Sequence, residues 1–575
     1  MEDGQGATPA TGVAPGRPGG AADSDGGPAL REEVHPGSDT ADPGGGQAGQ
    51  IGRQAGRGLR WSVLGNLVMK AGSFTMSLVL ARLLVPEDFG VYAIALAASQ
   101  FVLYVNDAGV IAAVVQWRGR LEDIAPTATV VAIASSVALY GVFWVVAPYF
   151  AEMSGNEGAT GVIRVLSATN LVYGLTAVRS AALMRRFQQD RLTRANLAGF
   201  CVNAPVTIGL AAAGAGAYSF AWGQLAGAAV TGVLVVVFAR VRISVGLDRA
   251  AAGRLLVFGL PLCVSLGIEG VLLNADSVIV GDTLGAAPLG FYLLAFNISS
   301  WVPGLVGTAI RYVALPGFSR LAEEDRESLS RGVGRAVPLL VSVVLPIAVV
   351  LGTLAPSVVV LLYGERWAPA AEVLRFLAIL MVVRMLAALA VDILAAMGAT
   401  RSTVWLNLGW AVVLVPALMA GARLDGIRGA AVAHAAVALL VALPLTALVL
   451  HRAGVAIAPI ASALVRPLLS GALAAAVMTA LAHVTPDVPF VRLCVAGGAG
   501  TLVFVLLVVP RAELGRLAAR VAGPAAAGSR RPGRGTPAHA EPSDHAEPVR
   551  SSGSRPGAPA HARPLTHAEP PDPAR

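Results

Sequence analysis

Nine charged residues interrupt segments of the sequence that are otherwise long and apolar. They are Lys70, Asp107, Arg164, Arg179, Glu269, Asp276, Arg311, Arg384 and Asp392. A charge near the centre of a bilayer costs about 2.5–3.5 kcal/mol on insertion scales, so each of these residues needs a partner, a wet cavity or a function. A lysine or arginine there could hold an anionic group, whereas a carboxylate could complete an ion pair.

Several of these charges also have a structural interpretation. Arg164 and Arg179 lie near the two ends of one apolar segment, from which their side chains could reach the lipid headgroups. Asp107 could cap a broken helix. Arg384 and Asp392 are eight residues apart, near one helical face, so either could pair with a charge on another helix.

The elements that must position these side chains are membrane helices. Of the 575 residues, 55% are hydrophobic and only 14% are charged, whereas a soluble domain normally carries about 25% charged residues. This composition excludes a water-soluble globular protein. The three cysteines, Cys201, Cys263 and Cys494, all lie in apolar stretches, which argues against a disulfide framework or a cysteine metal site.

Fourteen apolar segments are each close to the ~20 residues that span a bilayer as a helix. They cover roughly residues 60–84, 91–116, 126–150, 161–184, 195–216, 218–239, 255–281, 289–315, 336–355, 371–397, 403–421, 429–450, 462–482 and 490–509. With the N-terminus inside, the cytoplasmic loops hold 17 arginines and the opposite loops hold 3. Because positive charge marks cytoplasmic loops, we expect both termini to be cytoplasmic.

An internal repeat divides these segments. Six residues recur 200 positions later: Leu84, Gly90, Tyr92, Ala95, Ser99 and Val102 match Leu284, Gly290, Tyr292, Ala295, Ser299 and Val302. A separation of six spans gives two halves of the same membrane orientation, and two such bundles can enclose a cavity that opens to either side in turn. This is a transporter architecture.

The sequence therefore predicts an all-α polytopic membrane protein with about fourteen transmembrane helices in two pseudo-symmetric bundles around a central cavity. We expect a disordered acidic tail at 1–50 and a disordered Pro/Ala/His-rich tail at 524–575. Between them we expect six-helix lobes at 56–250 and 251–452, followed by two additional helices within 453–510.

Five stretches resemble the Wzx-like oligosaccharide flippases, the polysaccharide transporter branch of the MOP superfamily. They are Arg82-Leu-Leu-Val-Pro-Glu-Asp-Phe-Gly-Val-Tyr92, Asp107-Ala-Gly109 with Gln116, Ala221-Trp-Gly-Gln-Leu-Ala-Gly227, Leu315-Pro-Gly-Phe-Ser-Arg-Leu321 and Leu362-Tyr-Gly-Glu-Arg-Trp-Ala-Pro369. The resemblance covers about residues 56–510. It implies a flippase of the bacterial cytoplasmic membrane that moves undecaprenyl-diphosphate-linked oligosaccharide to the outer leaflet for envelope polysaccharide assembly. Its expected partners are this substrate, membrane lipids, and a polysaccharide polymerase and glycosyltransferases, without nucleic acid or cofactor.

Lys70 and Glu269 are the sharpest candidates for substrate binding. The 200-residue offset maps Lys70 to position 270, so the two charges occupy nearly equivalent depths in helices expected to face each other. They could form a permanent salt bridge, or Lys70 could alternate between Glu269 and the diphosphate. Arg311, about four residues from a predicted cytoplasmic helix end, could reach the headgroups or a phosphate.

The remaining candidate substrate contacts are Asp276, Arg384 and Asp392, together with neutral polar residues that could bond sugars or tie helices together. The neutral residues are Asn66, Gln100, Asn274 and Asn297.

Two other functions remain open from the sequence. A cation-coupled drug antiporter of the MATE type, or a flippase for peptidoglycan lipid precursors, would share the fold. A membrane-embedded glycosyltransferase or polymerase would need clustered carboxylates or histidines on a sizeable exterior loop. Here the predicted exterior loops are short, and His434, His451 and His483 lie on separate segments, so we expect a transporter and not an enzyme.

Overall fold

The computed structural model describes residues 64–106, 114, 121–186, 188–240, 246–255, 257, 274–307, 318, 321, 325–397 and 400–509. Within these ranges the chain forms helices and turns and no strand. The predicted all-α class is therefore confirmed. Glu269, Arg311 and Asp107 lie outside the described residues, as do both predicted tails.

The N-terminal half consists here of seven helices. They are α1 (Leu64–Leu83), α2 (Pro86–Asn106), α3 (Leu121–Met153), α4 (Ala159–Ser167), α5 (Thr169–Arg185), α6 (Gln189–Ala212) and α7 (Tyr218–Ala239). Tight turns follow several of them because glycines adopt positive φ, as at Gly155 (75°) and Gly214 (82°). The predicted fourth span is divided into α4 and α5, which meet at Ala168.

The C-terminal half and its extension contain ten helices in the described ranges. They are α8 (Ala275–Leu284), α9 (Ala286–Val302), α10 (Arg326–Thr353), α11 (Ala355–Tyr363), α12 (Ala370–Ala396), α13 (Thr400–Val437), α14 (Leu443–Arg452), α15 (Ile457–Val484), α16 (Pro489–Arg492) and α17 (Gly498–Val508). We refer to α8–α14 as the C-terminal half; α15–α17 form the extension. Asp325 caps the start of α10, because its carboxylate accepts a hydrogen bond from the backbone N–H of Ser328.

Ten helices in the described part of the chain are long and apolar enough to cross a membrane. One of them, Trp405–Arg452, has 48 residues, enough for the predicted eleventh and twelfth spans together. The backbone breaks at Asp425 and at Gly426 (φ 57°), where the sequence predicts a loop between those spans. The protein is thus a multi-pass membrane protein, and the total of fourteen spans stays a prediction.

The two halves pack through their second helices. Helix α2 lies against α9, α6 against α7, α8 against α13, and α9 against α12. One extended buried cluster runs through both halves, from Leu80 and Phe89 to Leu289, Trp367 and Leu377. Large apolar side chains such as Val145, Val233 and Leu440 face outward, as expected of surfaces covered by lipid.

Candidate functional site

A cavity of about 350 Å³ lies between α1, α2, α6 and α7 in the N-terminal half. It is lined by Asn66, Met69, Lys70, Ser73, Met76, Tyr92, Phe200, Asn203, Thr207, Phe220 and Gln224. Two of the predicted site residues, Asn66 and Lys70, are therefore brought together here. They are four residues apart on α1, which places them on the same helical face.

The Lys70 ammonium lies at the junction of the two halves. Lys70 is exposed, and a methyl group built on Gly304 would lie 3.4 Å from its Nζ atom. Phe74 lies one helical turn after Lys70, and Trp301 lies one turn before Gly304. The rings of these two residues contact each other edge to face. A flexible cation at this point can reach a ligand held between the halves.

Asn203, Thr207 and Gln224 supply further polar groups of this cavity, and none of them is among the residues predicted from the sequence. The Thr207 hydroxyl donates a hydrogen bond of 2.9 Å to Asn203 Oδ1, which leaves the Asn203 amide nitrogen as a donor. Gln224 Oε1 is buried without a hydrogen-bond partner in the structure. A buried hydrogen-bond acceptor without a partner costs free energy. This oxygen therefore indicates a place where a ligand could donate a hydrogen bond.

Small residues bring these groups close together on α6 and α7. A methyl group on Gly199 would lie 2.6 Å from the Gly227 carbonyl oxygen, and one on Gly227 would lie 2.8 Å from the Gly199 carbonyl oxygen. Such close approach is typical of helix pairs in membranes. Gln224 is the polar amide residue of the motif Ala221–Gly227. Its place in this motif is the only sequence signal that could have indicated its role.

Aromatic side chains line and close one end of the cavity. The Tyr92 and Phe220 rings stack at 4.1 Å between centroids, and Phe89 contacts both Phe220 and Trp367 edge to face. Trp367 is fully buried, and its Nε1–H donates a hydrogen bond of 2.8 Å to the Ala81 carbonyl. The sequence motif around Trp367 therefore joins the C-terminal half to the end of α1.

A second polar cluster lies inside the C-terminal half. Asp276 is 5% exposed, Tyr292 1% and His434 7%. The Tyr292 hydroxyl lies 3.1 Å from His434 Nδ1, and Asp276 is close enough to Tyr292 to interact with it electrostatically. In the sequence His434 lies far from any other candidate residue, and its partner Tyr292 is 142 residues away along the chain.

Arg384 is the charged neighbour of this cluster. Its guanidinium lies 5.0 Å from the centroid of the Phe296 ring and close enough to Asp276 for electrostatic attraction. Side chains on a helix lean toward its N-terminus, so Arg384 on α12 reaches toward the loop that precedes Ala370.

The other predicted site residues are dispersed. Asp392 is 4% exposed and lies eight residues beyond Arg384, about 12 Å along α12. Gln100, Asn274 and Asn297 are half-buried and are not among the residues that line the cavity. Among the described residues, the structure thus brings together only part of the predicted set and leaves these four apart from the cavity.

The two end-of-helix arginines have local protein partners. Arg164 donates a hydrogen bond of 3.2 Å from Nε to the Trp144 carbonyl, and its guanidinium lies 4.5 Å from the centroid of the Trp144 ring. Arg179 Nη1 donates a hydrogen bond of 3.1 Å to the Leu175 carbonyl on its own helix. Neither arginine lines the cavity.

Residues 79–372, just over half of the chain, match a family described as "Polysaccharide biosynthesis protein". The succinoglycan biosynthesis transport protein ExoT of Rhizobium meliloti is 28% identical over 56% of this chain, and the chain spans 65% of ExoT's length. The lipopolysaccharide biosynthesis protein WzxC of Escherichia coli is 21% identical, with 65% of this chain and 76% of WzxC covered.

The fold is similar to that of the lipid II flippase MurJ in an inward closed conformation. The TM-score is 0.64 at 12% sequence identity, and the match covers 77% of this chain and 97% of MurJ. At this identity the likeness concerns the fold alone.

Proposed function

Because the chain belongs to the polysaccharide biosynthesis protein family, we propose that it moves lipid-linked oligosaccharide across the cytoplasmic membrane by alternating access. The substrate is an undecaprenyl-diphosphate-linked oligosaccharide destined for an envelope polysaccharide. The names of ExoT and WzxC, which refer to succinoglycan transport and lipopolysaccharide biosynthesis, support a polysaccharide precursor as the cargo.

The observation that carries this proposal is the position of Lys70. Its ammonium is exposed at the junction of the halves and borders a cavity lined by amides and hydroxyls. A diphosphate is a strong ligand for an ammonium, especially where water is scarce. Lys70 would hold the diphosphate, and Glu269, the sequence-predicted partner, would take its place when the cargo leaves.

The amide groups next to Lys70 suit the first sugar residues. Gln224 Oε1 would accept a hydrogen bond from a sugar hydroxyl, and the Asn203 and Asn66 amides would bond further hydroxyls or ring substituents. A volume of about 350 Å³ is enough for a small part of an oligosaccharide and not for all of it. The rest of the cargo would extend between the halves.

The loops that carry Trp367 and Gly285 face the cell exterior in this proposal, because the arginine-rich loops face the cytoplasm. Both termini are then cytoplasmic. The halves are in contact at the exterior end through Trp367 and Ala81, so the Lys70 ammonium would be reached from the cytoplasmic side. A polysaccharide polymerase and glycosyltransferases are the expected partners of the cargo on either side.

The test is translocation by purified protein in liposomes that contain a labelled undecaprenyl-diphosphate-linked oligosaccharide. Exposure of the sugar to an added glycosidase reports transfer between leaflets. We expect wild-type protein and Leu67→Ala, a change of a lipid-exposed residue on the same helix, to transfer the cargo. Lys70→Ala should transfer it at the rate of protein-free liposomes. Equal rates for Lys70→Ala and wild type would contradict the substrate role of Lys70.

The same assay separates the alternative functions. Transfer of a peptidoglycan precursor in preference to the oligosaccharide would favour the lipid II-type function. Efflux of a cationic drug would favour a MATE-type antiporter, although a cation at position 70 repels such a substrate.

A further inference from the structure

The segment between α7 and α8 connects the two halves and contains a short helix that the proposed function does not use. Residues 249–255 are helical, and we call them the linker helix. Asp248 caps its start, because Oδ1 of this residue accepts a hydrogen bond of 2.9 Å from the backbone N–H of Ala250. The Asp248 carboxylate is therefore engaged by the backbone.

The linker helix is held at the depth where α3 enters the membrane. The backbone N–H of Asp248 donates a hydrogen bond of 3.0 Å to Thr127 Oγ1, and Leu255, which is 3% exposed, belongs to a buried cluster with Ile124 of α3. Thr127 is the second residue of the apolar segment 126–150. The linker helix therefore lies where a predicted span ends and the lipid headgroups meet water. On the topology proposed above, this is the cytoplasmic side.

The side of the linker helix opposite to Leu255 carries a groove of about 530 Å³. Its lining residues are Arg249, Ala250, Gly253, Arg254 and Val257. At about 100° per residue, Ala250 and Gly253 lie between the two arginines around the helix axis. A methyl group built on Gly253 would meet nothing within 4 Å. The groove thus has a floor of small residues, with a cation on each side.

The charges of this groove suit a phosphate group. Arg249 and Arg254 are exposed, and a guanidinium binds phosphate oxygens through two parallel hydrogen bonds. None of the five lining residues carries a carboxylate. Glu122 and Asp123, in the first turn of α3, are exposed and do not line the groove. A phosphate in the groove therefore meets two cations and no lining anion.

Exposed apolar side chains at both ends of the linker helix indicate that the phosphate belongs to a lipid. Val257, which lines the groove, is 77% exposed, and Leu247, just before the helix, is 60% exposed. Arginines beside exposed apolar residues are typical of helices that lie among lipid headgroups. A phospholipid offers a phosphate to the arginines and acyl chains to these two residues, whereas a free phosphate would leave the apolar side chains in water.

We propose that this groove binds the headgroup of an anionic phospholipid of the cytoplasmic leaflet. Arg249 and Arg254 bind the phosphate, and Val257 contacts the start of an acyl chain. The diphosphate of the cargo is assigned to Lys70, which lines a different cavity. Because the linker helix connects the halves, a bound lipid restrains the segment between them. That consequence for transport rests on the proposed function, whereas lipid binding itself does not.

The test uses full-length protein without native cysteines, carrying a fluorophore on Leu247→Cys, in phosphatidylcholine vesicles that contain no cargo. Phosphatidylglycerol with a nitroxide on its acyl chain quenches the fluorophore when it binds nearby, and nitroxide-labelled phosphatidylcholine reports random contact. Half-quenching should need about tenfold less of the anionic lipid, since each arginine near an anionic headgroup contributes about fivefold in affinity. Arg249→Gln and Arg254→Gln should each reduce this preference about fivefold. Gly253→Leu should abolish it although both arginines remain, because the leucine fills the floor of the groove.

Two matched controls should quench as the unmutated protein does. Arg423→Gln removes the same charge from an exposed position outside the groove, and Gly141→Leu adds the same side chain to α3, where a methyl group meets nothing within 4 Å. Equal elution volume and thermal unfolding confirm that the variants are folded.

Three results would overturn the proposal. The first is equal quenching by the two lipids, and the second is an unchanged preference when Arg249→Gln and Arg254→Gln are combined. The third is a preference that appears only after deletion of residues 1–50, which would assign the groove to the acidic N-terminal segment. Since no cargo is present, a wrong cargo assignment leaves this experiment unaffected and appears only in the glycosidase assay.

Discussion

Gly90 and Gly290 lie 200 positions apart, and each faces the backbone at the start of the other's helix. A methyl group on Gly90 would overlap the carbonyl oxygen of Ala286, and one on Gly290 would overlap that of Pro86. Pro86 and Ala286 are themselves 200 positions apart. This reciprocity shows that the offset read from the sequence is a two-fold relationship between α2 and α9.

The first prediction concerns this crossing. Gly90→Ala and Gly290→Ala should each destabilise the protein by about 1–3 kcal/mol or more, because a backbone carbonyl cannot move aside as a side chain can. Gly209→Ala is the matched control: it is also in a helix, and a methyl group there meets nothing within 4 Å. Thermal unfolding of detergent-purified protein is the measurement. If Gly290→Ala unfolds at or above the midpoint temperature of Gly209→Ala, the contact between α2 and α9 tolerates a side chain.

The second prediction concerns the closed end of the molecule. Ala81 lies in the last turn of α1, and the N–H of Val85, which would otherwise bond its carbonyl, donates instead to Asp88. The Trp367 indole therefore satisfies a carbonyl that the helix leaves open. Trp367→Phe keeps a ring but removes the donor, at a cost of about 1–3 kcal/mol.

Opening at this end should then become more frequent. Spin labels on the exposed residues Glu157 and Leu424, one in each half, should show a larger population of long distances in Trp367→Phe. Trp405→Phe, which changes a 70% exposed tryptophan, should leave the distance distribution unchanged. Identical distributions for both variants would mean that the indole bond does not hold this end closed.

The third prediction concerns the hypothesis that Lys70 alternates between Glu269 and the diphosphate. Lys70→Arg should retain partial activity, since the charge is kept while a planar fork replaces a compact ammonium. The exchange Lys70→Glu with Glu269→Lys should not give transport, because position 70, which borders the cavity, then carries an anion that repels the diphosphate. The readout is surface polysaccharide per amount of protein in the membrane. Full activity of the exchanged pair would mean a purely structural salt bridge.

The fourth prediction concerns topology. In protein without native cysteines, cysteines at Glu157, Ala287 and Asp487 should react with an impermeant maleimide in whole cells, and one at Arg249 only after permeabilisation. Ser154, which the sequence places in the same predicted exterior loop as Glu157, is fully buried and would make a poor labelling site. Labelling of Arg249 and Ala287 positions from the same side would reverse the proposed orientation of one half.

The sequence predicts the fold and the family well because both depend on long patterns of residues along the chain. The all-α membrane class and the membership of the polysaccharide biosynthesis protein family are confirmed. Lys70 could be singled out because a charge in an apolar segment is rare. The break at Gly426 follows from a glycine between two apolar segments.

The sites could be predicted only in part, because their members are distant in sequence and their meeting depends on how each helix is rotated. His434 and Tyr292 are 142 residues apart, and no local pattern connects them. Asn203 and Thr207 are ordinary polar residues until α6 packs on α7 through glycines. Trp367 belongs to the stretch Leu362–Pro369, one of the five that resemble the oligosaccharide flippases. Its hydrogen bond to Ala81, in contrast, depends on how the two halves pack.

Lys70 is the only lysine of the chain. A reagent that reacts with primary amines can therefore label the cavity of the wild-type protein at one known side chain. Apart from the N-terminal amine, the protein offers one primary amine to acylating reagents, and it lies where the halves meet. The rate at which an amine-specific reagent modifies this chain is therefore a direct record of how often the cavity admits a small molecule from solution. Mass spectrometry of the unlabelled wild-type protein could follow the transport cycle through a single side chain.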